Sequence, residues 1–155
     1  MSKLSDAEFQ KIVEDILYIN HKLRDKQHLL SLSGDALSYT AIKLASMKSL
    51  LIDVKADAHR DFLDADTEYK AVKAKAIRRL TGEPIKEGGA KISQSAAGDI
   101  MYGEDDVIKA SRDKNEKEAF FNKLKSIAAD THDDIDSIKS RVIDLQGARK
   151  DERVS

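Results

Sequence analysis

Seven basic side chains crowd one stretch of this chain: Lys70, Lys73, Lys75, Arg78, Arg79, Lys86 and Lys91, with only two acids between Tyr69 and Lys91. Cations grouped within about a Debye length, roughly 10 Å at moderate salt, act together on phosphates and release counterions as they bind. The preceding segment, Leu51 to Glu68, carries six acids and two bases, so the charge changes sign along the sequence. Two readings fit this pattern. One is a polyanion site; the other is a lysine-rich helix C-terminus that complements the helix dipole. Tyr69 and Tyr102 are of a type that stacks on bases, although Tyr69 also falls on a hydrophobic repeat.

Other chemistry finds little footing. The chain has no cysteine, which excludes disulfide scaffolds, zinc ribbons and thiol catalysis. His21 and His28 are seven apart, not the four that pairs two helical ligands on one metal. His59 and His132 sit beside acids in the manner of surface pairs. Asp64, Asp66 and Glu68 alternate like a calcium loop, but an EF-hand's sixth-position glycine and twelfth-position glutamate are here Tyr69 and Lys75. The segment from Gly82 to Lys91 lacks the Gly-Lys-Ser/Thr ending and the preceding strand of a P-loop. No acid, base and nucleophile converge at a recognisable spacing, so no enzyme, metal or cofactor is expected.

The elements that must carry the basic cluster follow from the breakers. All seven glycines and the one proline, Pro84, avoid two long stretches, Asp35–Thr81 and Glu104–Gln146. Glycine costs about 1 kcal/mol and proline about 3 kcal/mol inside a helix, so both stretches are natural helices. In the second, Val107, Ala110, Lys114, Lys117, Phe121, Leu124, Ala128, Thr131, Ile135, Ile138, Val142 and Leu145 repeat at three or four residues, a coiled-coil period. In the first, Leu37, Ala41, Leu44, Leu51, Ala58, Phe62, Ala65, Tyr69, Val72 and Ala76 do the same, with Lys48 and Lys55 as polar interruptions. An N-terminal helix opens on a Ser5/Glu8 capping box and continues through Phe9, Ile12, Ile16, Ile19, Leu23 and Leu30.

The expected fold is therefore all-α: an elongated antiparallel helical bundle or coiled coil of three long helices plus one short helix. One helical domain covers residues 1–155, with helices at about 6–32, 36–80, 93–101 and 104–146. Asp35 is the expected cap of the second helix, residues 81–92 a mobile loop and 147–155 a frayed tail. Charged residues make up 35% of the chain and aromatics 5%, as suits long helices with a narrow buried stripe. The lysines that interrupt the seams point to self-association, unless they snorkel at seam edges. No apolar run approaches the length that spans a bilayer, and Met1–Asp6 lacks a signal-peptide core, so no membrane and a cytoplasmic address are expected.

The last helix brings a closer likeness. Asp136-Ser137-Ile138-Lys139-Ser140-Arg141, with Asp105-Asp106-Val107 at the helix start and Ser95-Ala96-Ala97-Gly98-Asp99 before it, resembles the C-terminal part of UvsY-type phage recombination mediators. Upstream, Lys73-Ala74-Lys75-Ala76-Ile77-Arg78-Arg79-Leu80-Thr81-Gly82 resembles the family's Lys/Ala-rich helix with its basic end and glycine loop. The likeness covers residues 35–146 in layout, and departs at Ile77–Leu80, where the family often has tyrosines. It implies a helical homo-oligomer, a ring in the family, that binds single-stranded DNA and helps a recombinase displace a single-strand-binding protein. In that case the address is the cytoplasm of the phage's host. By position, Lys73, Lys75, Arg78 and Arg79 are the implied DNA contacts, with Lys70, Lys86 and Lys91 beside them; Lys139 and Arg141 match the family stretch but also suit packing. The competing expectation is a structural or interaction coiled-coil protein with no DNA binding, such as a virion assembly or scaffolding component or an inhibitor of a host protein.

Overall fold

A computed structural model of the chain describes residues 5–82 and 91–154. Among these the fold is all-α, with no extended strand. The helices are α1 (Asp6–Arg24), α2 (Lys26–Ser31), α3 (Gly34–Gly82), α4 (Gln94–Ile100) and α5 (Asp105–Val154), with a single 3-10 turn at Met101–Gly103.

Local chemistry sets the boundaries. At the start of α1 the Ser5 hydroxyl accepts from the Glu8 N–H at 3.3 Å, and the Glu8 carboxylate accepts from the Ser5 N–H at 2.8 Å. That contact holds the Glu8 carboxyl below its ordinary range. The single helix expected over 6–32 is broken at Asp25. Its backbone is extended, and its carboxylate accepts from the N–H groups of Gln27 (2.9 Å) and His28 (3.4 Å), capping α2. An aspartate that satisfies two orphan donors in this way competes with the continuous helix. The break takes Leu30 off the seam, leaving it 59% exposed. Ser33, not Asp35, caps α3: its hydroxyl accepts from the Ala36 N–H at 3.2 Å. Thr81 and Gly82, expected in the loop, close α3, and α5 runs through Gly147 to Val154 where a frayed tail was expected from 147. No proline stands in its way, and one glycine costs only about 1 kcal/mol.

Where the sequence suggests one domain, the chain divides into two compact units, one built from residues 5–55 and 123–154, the other from 56–82 and 91–122. The first unit gathers the stripes of α1, α3 and α5. Val13, Ile16, Leu23, Leu37, Leu44, Met47, Leu51, Ile127, Ile135 and Ile138 are buried together. The stripe uses Met47 and Ile127 at the positions where the heptad reading has Lys48 and Ala128. Polar side chains enter this core at one level only among the described residues. Asn20 and Thr131 are buried, and the Thr131 hydroxyl donates to the Ile127 carbonyl at 2.6 Å. With its amide set to satisfy both ends, Asn20 donates to the Ile16 carbonyl (3.1 Å) and to Asp134 Oδ2 (2.9 Å). Its other amide atom lies 3.5 Å from Thr131 Oγ1. At the rim, Arg24 pairs with Asp130 at 3.3 Å.

Burial pushes the Asp134 carboxyl above its ordinary range; Arg24 opposes the rise and the charges of Asp130 and Asp133 add to it. The folded chain thus holds this proton more tightly than the unfolded chain. Stability from this group is greatest below the ordinary carboxylate pKa and declines as pH rises to the folded value. Asp134→Asn is expected to remove that decline and to raise the melting temperature at neutral pH, checked by melting both proteins between about pH 3 and 7. Leu44→Ala is expected to cost about 2–5 kcal/mol. Leu30→Ala should stay within about 0.5 kcal/mol, both read from urea denaturation.

Candidate nucleic-acid interface

The basic cluster lies in the second unit, at the C-terminal end of α3. That end packs on the 3-10 turn and the start of α5 through a small core: Ala76, Met101 and Val107 are buried, with Tyr69, Val72, Ile77 and Leu80 packed against them. Here α3 and α5 run antiparallel, because Arg79 meets Glu104, Asp66 meets Lys114, and Phe62 stacks on Phe121 in that order along the two helices. His59 also stacks on Phe121, with ring centroids 4.6 Å apart. α5 opens with Asp105 and Asp106 at its dipole's positive end, as their types suggest.

The helix distributes the cations unequally. At about 100° per residue, the buried positions Ala65 and Ala76 and the half-buried Val72 mark one side of α3. Arg79 lies about 40° to one side of that direction and Lys73 and Lys75 about 80° to opposite sides of it, whereas Arg78 and Lys70 project away from it. Arg79 pairs with Glu104 and, at 3.8 Å, with Asp106. Lys70 pairs with Asp66, one turn earlier. Asp66 also receives Lys114 from α5 at 3.3 Å, and the hydrogen bond from Lys70 is the largest reason its carboxyl sits below the ordinary range. Lys75, Arg78 and Lys91 are exposed, and the side chains of Lys75 and Arg78 have no ion pair or hydrogen bond among the described residues. Lys86 lies outside the described residues.

Lys73 is the cation set among aromatic rings. Its ammonium stands 5.2 Å from the centroid of Tyr69 and 5.1 Å from that of Tyr102, within cation–π range, and donates to the Tyr102 hydroxyl at 3.4 Å. Lys114 approaches the Tyr69 ring too, at 5.4 Å. Tyr69 is half-buried between these groups, while Tyr102 keeps 56% of its surface exposed. Beside the two tyrosines runs a groove of about 500 Å³, floored by Val107 and walled by the face of α5 that carries Ile108, Arg112, Asn115 and Glu116. Those α5 residues escape a sequence reading. They are ordinary surface types at helical spacing, and the partner that makes them a groove, Tyr102, comes from another element.

A neighbouring cleft of about 240 Å³ is lined by Asp61, Asp113, Glu116 and Lys117 around Ala58 and Phe120. The Lys117 ammonium, 2.9 Å from Asp113, is held above its ordinary range chiefly by that hydrogen bond. No group of three or more histidines, aspartates and glutamates among the described residues is arranged to hold a metal ion. No described helix is long and apolar enough to cross a membrane.

In the first unit, Lys139 lies 3.4 Å from Asp136, and the buried Nε of Arg141 has no hydrogen-bond partner among the described residues. Comparison with protein-family models, with curated proteins and with solved structures finds no match for this chain.

With so few buried side chains, the second unit depends on each. Met101→Ala is expected to cost about 2–5 kcal/mol. Hydrogen exchange should quicken across residues 56–122, the local signature of a weakened unit.

Proposed function

We propose that this protein is a non-enzymatic single-stranded DNA-binding accessory protein, of the kind that helps load a recombinase in phage recombination and replication. The observation that carries the reading is local. Lys75 and Arg78 stand exposed and unengaged among the described residues, within two turns of Lys73, whose ammonium rests against Tyr69 and the exposed Tyr102. Unengaged cations and an exposed aromatic ring within two turns of one helix are features that a flexible polyanion of stackable bases uses. The likeness to UvsY-type mediators supports the same role, and adds a recombinase and a single-strand-binding protein as partners. In this reading the scaffold is the antiparallel coiled-coil bundle expected from the seams, and several copies combine their weak sites by avidity.

A second reading, an interaction protein without DNA binding, draws on one feature of the first unit. Tyr39, Ile42 and Leu50 are exposed on α3, on the side away from its buried Leu37, Leu44 and Leu51. A partner helix or a second copy suits such a stripe.

The two readings part on one titration. Labelled single- and double-stranded oligonucleotides at two salt concentrations, followed together with particle mass, should give sequence-indifferent binding that weakens steeply with salt. The double variant Lys75→Ala/Arg78→Ala should keep its helicity and lower the slope of log affinity against log salt by about 1.4, at roughly 0.7 per phosphate contact on a single strand. An oligomer that ignores DNA favours the second reading.

A further inference from the structure

We infer, on the premise that the chain binds single-stranded DNA, that the groove beside Tyr102 holds one unstacked nucleotide, with its base on the Tyr102 ring and its phosphate on Arg112. Three features of the groove meet the parts of a nucleotide. Tyr102 offers an exposed ring, and the ammonium of Lys73 beside it adds positive charge where a phosphodiester strand must pass. Ile108, 42% exposed, extends the apolar wall, so a base entering the groove is flanked by a ring and an aliphatic side chain. Arg112 lines the same groove with no ion pair among the described residues, which leaves its guanidinium open to a bidentate contact with phosphate oxygens. Asn115, one turn further along α5, supplies an amide that donates to or accepts from a base edge.

Charge favours this occupant over an apolar helix. An apolar partner helix laid along the groove would bury both Arg112 and Glu116, which make no ion pair with each other. A nucleotide at the Tyr102 end instead brings a counter-charge for Arg112 and leaves Glu116, one turn farther along α5, uncovered. A duplex does not serve, because its bases are already stacked and paired. The groove therefore acts as a selector for unpaired strands, distinct from Lys75 and Arg78, which meet phosphates of either form. Residues that act on the base and residues that act on the backbone are separable by experiment.

The test uses the full chain and a fluorescent oligothymidylate, with an abasic strand of equal length as the second probe. Tyr102→Ala should weaken oligothymidylate binding about tenfold, within the range that one base–aromatic stack supplies, and leave the salt slope unchanged. Tyr102→Phe, which keeps the ring, should bind like the parent. On the abasic strand Tyr102→Ala should have no effect, a result that a merely structural role for Tyr102 would not give. Arg112→Ala should weaken both probes and lower the salt slope by about 0.7. Parent binding with unchanged affinity in Tyr102→Ala overturns the nucleotide site and leaves DNA binding standing. A change in particle mass without a change in affinity also overturns it, by making the groove a contact between copies. Failure of the parent to bind either probe overturns the DNA-binding premise itself, and the site with it.

Discussion

An apolar stripe barely one side chain wide is the constraint under which this chain folds. A helix that is charged on most of its circumference gains little from burial except along that stripe. Stripes must therefore meet stripes, and the core they form is thin. In the first unit three helices supply eleven buried apolar side chains among the described residues. In the second, the buried apolar residues among those described are four alanines, Ala58, Ala65, Ala76 and Ala97, with Met101 and Val107, finished by half-buried aliphatic and aromatic neighbours. Tyr69 belongs to that finish: its ring borders the core while remaining open to the ammoniums of Lys73 and Lys114, which stand over it. A wider core would have buried the ring and removed it from any cation.

The same constraint sorts the charges. Side chains that flank the stripe become involved in holding helices together. Asp66 receives both Lys70 and Lys114, and Arg79 reaches Glu104 across to the start of α5. These pairs are partly exposed, Lys114–Asp66 the least, and together they fix which cations are spoken for. Arg78, turned away from the stripe, and Lys75, at its flank, have no side-chain partner among the described residues and keep their charge for whatever approaches. A cluster that is uniform in sequence is thus divided, by where acids and rings stand, into engaged cations and unengaged ones.

Helix type and the main seams were legible because they depend on local spacing. Leu37, Leu44, Leu51, Ile135 and Ile138 recur at intervals that only a helix brings to one side. What escaped was of two kinds. Asp25 ends α1 by offering its carboxylate to two backbone donors, a competition that a count of apolar spacings does not register. Met47 and Ile127 take places that the heptad assigns to Lys48 and Ala128, since a helix of 3.6 residues per turn drifts against a repeat of 3.5. For the site, the cations themselves could be read, but not their sorting. Glu104, Tyr102 and Lys114 stand roughly 25 to 45 residues from the α3 groups they meet, and no short-range pattern links them.

The polar level at Asn20, Thr131 and Asp134 has a consequence for how freely the first unit's helices can slide. Leucine, isoleucine and methionine are interchangeable partners, so a purely aliphatic stripe tolerates being displaced by a full heptad. Here such a displacement would bring Asn20 opposite Leu124 or Ile138, stranding an amide in hydrocarbon at a penalty of about 1–3 kcal/mol. The amide therefore works as a notch: one axial setting of α1 against α5 satisfies it and the adjacent ones do not. Drift among the aliphatic positions then changes how tightly the unit holds, while its alignment stays anchored by a few polar atoms.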